Sequence, residues 1–216
     1  MGFAGVLFDF HKTLVVAGSL ESWLRQSVDA SGEDDVADAE ILAALRSVWA
    51  RAALRYPDTR WDLDSRLHRA VFREVLEREA DCTPTLADIL DDTMSEHWVA
   101  VPGAIELLER LRAGGHRIGM VSNTGIDLRP RLAELGLLAY LDTVVLSFEE
   151  GLVKPDPRIF RLAADRLGLP VSECLFVGDD PRTDGGAVQV GMTTALIPQE
   201  GGGPQLHRAA AFLGVD

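Results

Sequence analysis

The sequence predicts an α/β fold, a three-layer core on a five-stranded parallel sheet, interrupted by an all-helical insert. Three observations carry this. A short apolar run, Val6-Leu7-Phe8, ends in Asp9 almost at the start of the chain, the pattern of a buried strand that delivers a carboxylate to its C-terminal edge. From Pro102 onward, strand-like and helix-like stretches alternate, and such alternation builds parallel sheets covered by helices. Between the two, residues 15–100 carry helical periodicity without strand alternation. At 216 residues the chain can bury one good-sized core and carry a smaller insert.

Taken in order, the first strand gives way to a helix from Ser19 to about Ser31. Ile41, Leu45, Val48 and Ala52, with Leu42 and Trp49 beside them, form an apolar stripe at helical spacing. A third helix is expected from Asp62 to Ala80, and a fourth from Pro84 to about Trp98, with Thr83 as N-cap and Pro84 in the first turn. Pro102-Gly103 marks the return to the core, so the expected division is 1–14 with 101–216 as core and 15–100 as insert. Ile105, Leu108 and Leu111 make a helix face stopped by Gly114-Gly115, before a second strand from Arg117 to Val121. A helix over Leu128 to Leu135, closed by Gly136, leads to a strand at Thr143 to Leu146. Asp156 as cap, Pro157 in the first turn and Gly168 at the end frame the next helix. A strand at Leu175 to Val177, a helical turn to Gly191 and a last strand at Thr194 to Ile197 complete the sheet. Gly201-Gly202-Gly203-Pro204 lacks both the preceding strand and the following lysine of a phosphate loop and reads as a turn.

Apolar content of 47% with 25% charged residues describes a soluble globular protein, and no run approaches membrane-spanning length. No export signal is visible, so a cytoplasmic location is expected. A net charge of −13 argues against nucleic acid and anionic membrane as partners. Cys82 and Cys174 have no metal-type spacing and read as buried small side chains. His68, His97, His116 and His207 form no zinc-type cluster. The basic residues are nearly all arginine; the two lysines, Lys12 and Lys154, both fall in motif-like stretches.

Those stretches are Val6 to Leu14, containing Asp9-Phe10-His11-Lys12-Thr13; Gly119 to Thr124, ending Ser122-Asn123-Thr124; Gly151 to Pro157, containing Lys154-Pro155-Asp156-Pro157; and Phe176 to Asp184, containing Gly178-Asp179-Asp180. In this order they resemble the four motifs of the haloacid dehalogenase superfamily, most of whose members are magnesium-dependent phosphatases on a Rossmann-like core. The insert resembles the helical cap that some members carry after the first motif. The resemblance implies Asp9 as nucleophile, forming an aspartyl-phosphate, with Mg²⁺ held by Asp9, the backbone carbonyl of His11, Asp179 and Asp184. Asp180 either shares the metal duty or caps the following turn. Ser122 and Asn123 would hold the phosphoryl oxygens, although both also suit a helix N-cap. Lys154, its backbone extended before a proline, would reach back to Asp9 and the phosphate.

Two positions depart from the family pattern. His11 stands where the phosphatases carry a second Asp, the residue that protonates the leaving oxygen and activates water, and Lys12 replaces the usual Gly. Imidazole can perform both proton transfers near neutrality, or can fail as an acid and slow the enzyme. The expected function is therefore hydrolysis of a small phosphorylated metabolite. The alternatives are a catalytically weak protein that binds a phosphorylated ligand or a partner, and a 2-haloacid dehalogenase, a branch that lacks the metal-binding acids. In the insert, Arg51 and Arg55, one turn apart, and Trp23, Trp49 and Trp61 are candidate leaving-group contacts, with a structural role expected for most.

Overall fold

The computed structural model describes residues 2–33, 36–197, 199–200, 203–204 and 206–214. The chain enters through β1 (Gly5–Phe8) and β2 (Val15–Ala17) and runs through α1 (Leu20–Ser31), α2 (Asp38–Arg55), α3 (Ser65–Glu79) and α4 (Pro84–Asp92). It returns through β3 (Trp98–Ala100), which pairs with β2 in a separate two-stranded sheet. There follow α5 (Ala104–Ala113), β4 (Arg117–Ser122), α6 (Arg129–Glu134), β5 (Thr143–Leu146), α7 (Ser147–Glu150), α8 (Pro157–Leu167), β6 (Cys174–Gly178) and β7 (Thr193–Leu196). Short strands β8 (Gln199–Glu200) and β9 (Gly203–Pro204) pair antiparallel before α9 (Leu206–Leu213). Gly201 and Gly202, half of the expected turn, lie outside the described residues. The chain divides into two compact units, residues 17–98 and residues 1–16 with 99–216. Among the described residues no helix is long and apolar enough to cross a membrane.

In the second unit five strands form one sheet in the order β5-β4-β1-β6-β7, every neighbouring pair parallel. β1 lies in the centre and is buried on both faces, which explains its unbroken apolar run. Phe8 is level with Met120 of β4 and with Val177 of β6, so these three strands end together at one edge. α8 covers one face. Asp156 caps it by accepting from the N–H of Arg158 at 2.9 Å, and Gly168 ends it in the left-handed conformation at φ 70°. Its buried Ile159, Phe160, Ala163, Ala164 and Leu167 join Leu7, Val121, Val145 and Phe176 in one apolar cluster. Phe160 meets Phe176 edge-on at 5.1 Å. Cys174 belongs to the same cluster; it and Cys82 are free thiols, pushed up by burial to about 11 and about 12 respectively.

The helical unit buries Ile41, Ala44, Leu45, Val48 and Ala52 of α2 with Val71, Phe72, Val75 and Leu76 of α3. Ser47 breaks the regular helix (φ −134°) and donates its hydroxyl to Ala43 O at 2.8 Å, a back-bond of the kind that bends helices. Two boundaries differ from expectation. α3 starts at Ser65, not Asp62, because the Asp64 carboxylate accepts from the N–H groups of Arg66 and Leu67 and ends a separate 3₁₀ turn at Trp61–Leu63. α4 ends at Asp92, well short of Trp98, which is taken into β3 by pairing with β2. α9 was not foreseen, although Leu206, Ala209 and Ala210 bury one face of it.

Asp142 ties α5 to the start of β4. It accepts from the N–H of Ile118 at 2.8 Å and from the Arg112 guanidinium at 2.7 Å and 2.8 Å. Burial alone would raise its pKa, but the Ile118 N–H and the Arg112 guanidinium outweigh that and hold the carboxyl below its usual range. A depressed folded pKa means stability that is fully present above the unfolded value of about 3.9 and is lost as pH falls through the folded one. Asp142→Asn is therefore expected to cost about 1–2 kcal/mol at pH 7. Denaturant titrations should show that deficit shrinking as pH drops below about 4.

Candidate active site

Asp9 leaves the end of β1 with its N–H donated to Val177 O at 2.8 Å, which fixes it against the end of β6. It is 8% exposed, and Lys154 and Asp184 beside it are 4% and 1% exposed. The Lys154 ammonium donates to Asp9 Oδ1 and, at 2.7 Å, to Asp184 Oδ1. The other Asp184 oxygen accepts from the N–H groups of Asp179 at 2.9 Å and Asp180 at 3.1 Å. Asp184 comes this close only because Gly178 has no side chain: a Cβ there would lie 2.2 Å from Asp184 Oδ2. Gly186 serves likewise, since its Cβ would lie 2.5 Å from Pro155 O in the segment that carries Lys154.

One carboxylate oxygen each of Asp9, Asp179 and Asp184 lie within 4.8 Å of one another. Burial pushes the Asp9 carboxyl up, Lys154 opposes, and Asp184 and Asp179 add to the rise. Asp179 is also raised, first by burial and then by Asp184. Lys154 stays protonated: burial disfavours its charge, but Asp9 and Asp184 raise its pKa. Three acids and one ammonium leave a balance of −2, so this cluster relaxes by taking up a divalent cation or protons. Hard carboxylate oxygens converging from different strand ends suit a hard divalent ion.

Asn123, after β4, spends its side chain on Lys154: Oδ1 accepts from the Lys154 N–H at 2.8 Å and Nδ2 donates to the Lys154 carbonyl at 2.9 Å. Ser122 is buried at the end of β4. Ser147, directly after β5 and fully buried, makes a matching pair of bonds to Thr124. Ser147 and Gly186 carry no signal of their own in the sequence, and Gly178 falls in a motif-like stretch with no role assigned to it. The rule that parallel sheets gather chemistry at C-terminal strand edges would have pointed to Ser147. Asp180 accepts from both the N–H and the guanidinium of Arg182, which hold its pKa low, so its carboxylate closes the turn.

His11 is exposed, but the surrounding protein, and after it the Lys12 ammonium, push its pKa down to about 4 and leave the ring neutral at pH 7. Lys12 adopts φ 61°, the left-handed conformation that a glycine takes freely and that costs a side-chain residue about 1–2 kcal/mol. In the helical unit, Arg51 pairs with Glu79 at 2.9 Å, Arg55 donates to Tyr56 Oη, and Trp23 donates to Thr93 Oγ1. Trp49 packs against His68, Phe72 and Trp61.

A parallel sheet with an aspartate, a lysine and two further acids at its C-terminal edge defines a class of hydrolytic enzymes. The chain matches the haloacid dehalogenase-like hydrolase family over residues 3–191 and belongs to it. It is 30% identical over 199 residues to a glyceraldehyde 3-phosphate phosphatase of Methanopyrus kandleri, covering 89% of this chain and 82% of the relative. It is also 30% identical over 214 residues to the (S)-2-haloacid dehalogenase 4A of Burkholderia cepacia, covering 94% and 86%. The crystal structure of a phosphatase of this superfamily from Thermococcus onnurineus shares the fold, with a TM-score of 0.66, 24% identity and coverage of 100% and 99%.

Gly178→Ala is expected to lower stability by about 1–3 kcal/mol by pushing Asp184 off its N–H partners. Gly185→Ala, where no atom lies within 4 Å of the new methyl, should cost less than about 0.5 kcal/mol. Equal losses in chemical denaturation would contradict the close-approach argument.

Proposed function

We propose that this hydrolase is a Mg²⁺-dependent phosphatase that acts on a small phosphorylated metabolite through an aspartyl-phosphate on Asp9. The observation that carries the reading is the cluster of Asp9, Asp179 and Asp184 with Lys154 bridging two of the three. Asp9, Asp179 and Asp184, with the His11 carbonyl, would hold the ion, which when bound neutralises the repulsion between a carboxylate and a phosphate.

The remaining chemistry belongs to the chain. Lys154 holds Asp9 Oδ1 and leaves Oδ2 to attack phosphorus. The bond from Oδ2 to phosphorus forms as the bond to the leaving oxygen breaks, and the departing oxygen takes a proton from solvent water, since the His11 ring is neutral at pH 7. Ser122 and the N–H groups after β4 hold the phosphoryl oxygens, and Lys154 offsets their charge. Water then attacks phosphorus, gives up a proton to His11, and frees Asp9 and inorganic phosphate.

Dehalogenation is the second reading, supported by the dehalogenase relative. Displacement of halide from carbon needs no metal, so it leaves without a role the third acid, Asp179, that stands beside Asp9 and Asp184. Phosphate release from an aryl phosphate is the expected activity, lost with EDTA and restored by Mg²⁺. Asp9→Asn should abolish it, and His11→Ala should lower it by about 10²–10⁴-fold. Halide release from a 2-haloacid without metal would move the assignment to the dehalogenases. An inert wild type that gains activity as His11→Asp would mark a ligand-binding protein that has lost turnover.

A further inference from the structure

The Lys154 ammonium works only if it sits between Asp9 and Asp184, and its stem is anchored by its own main chain. That main chain is held by Asn123, whose side-chain amide satisfies both the N–H (2.8 Å) and the carbonyl (2.9 Å) of Lys154. Asn123 directly follows Ser122, which is paired with Leu146 of β5, and its next residue is Thr124. There, the Ser147 hydroxyl accepts from the Thr124 N–H at 2.8 Å and donates to the Thr124 carbonyl at 3.1 Å. The two couplings are alike: one side chain closes a ring with both polar main-chain groups of a residue on a neighbouring segment. They run in series, from the end of β5 through Thr124 and Asn123 to Lys154. Ser147 is 0% exposed and Thr124 6%, so removing the hydroxyl strands a buried donor and a buried acceptor together, and the loop must move to satisfy them.

We infer that Ser147 is a positioning residue for Lys154, acting on the ammonium through Thr124 and Asn123 without touching the reacting atoms. It deepens the phosphatase reading and rests on it for kinetics, but its structural content can be tested separately. The two lysines of the chain make the test internal, since Lys12 is exposed and Lys154 is 4% exposed. The full-length protein is acylated with acetic anhydride at pH 8, and the Lys154 to Lys12 labelling ratio is read by mass spectrometry. Ser147→Ala should raise that ratio about fivefold or more, because the lysine segment opens locally while the rest stays folded. Ser147→Cys fills the site with a slightly larger, weaker donor and should raise the ratio in the same direction, which covers the case of an alanine variant that does not fold.

In phosphate release from an aryl phosphate, Ser147→Ala should lower kcat about 10–100-fold. Combined with Asn123→Ala it should add nothing to the loss caused by Asn123→Ala alone, because both changes break one series. An unchanged labelling ratio in the folded variants overturns the inference, as do kinetic losses that multiply. A wild type that releases no phosphate defeats the phosphatase reading instead, and the labelling ratio then decides the role of Ser147 by itself.

Discussion

The molecule is organised around one buried ammonium held between two buried carboxylates. Moving such charges from water into protein costs several kcal/mol each, and their attraction offsets this only where the geometry is tight and the remaining lone pairs find donors. The surroundings of Lys154 meet those conditions. Asp184 gives its second oxygen to two main-chain N–H groups, Gly178 and Gly186 remove the side chains that would keep the partners apart, and Asn123 fixes the lysine stem. An apolar cluster of the same shape would be at least as stable. Charge here, with a third acid beside it, is what supports the proposed active site; a packed core needs none of it.

The sheet topology makes that centre possible. β1 is central, with β4 on one side and β6 on the other, so the connections from β1 and its neighbours leave in opposite directions and open a crevice at their C-terminal ends. Asp9, Ser122 and Asp179 each follow or finish one of those strands, and Lys154 arrives from the segment before α8. Segments more than a hundred residues apart in sequence thus meet within hydrogen-bonding distance. The same edge explains Ser147, which follows β5 and reaches the site through the loop beside it.

The apolar strands and the caps of α8 and α4 were legible because their signals are local: an apolar run, an Asp or Thr before a proline, a glycine beyond the last turn. Where local signals conflict, the sequence misleads. Asp62 looked like a helix start, but Asp64 has the cap geometry two residues later. The stretch up to Trp98 looked helical, but pairing with β2, more than eighty residues earlier in the chain, claims its end for a strand. Asn123 reads from the sequence as part of a phosphate-holding turn; what the sequence does not show is that its side chain is hydrogen-bonded to the Lys154 backbone. Lys12 stands where the family usually carries glycine, and only the structure shows that its backbone takes the left-handed conformation.

The order of the acidic, hydroxyl and lysine stretches, each after an apolar strand, was enough by itself to place this chain in its hydrolase family. Residue type and spacing carry that information, since a carboxylate at a strand end is a local feature. Tertiary structure alone decided which acids converge and which do not. Asp180 and Asp184 are four residues apart and equally charged, yet one closes a turn with Arg182 and the other enters the buried cluster with Lys154. That choice depends on the absent side chain at Gly178 and on a lysine thirty residues away, contacts that exist only once the strands have been laid side by side.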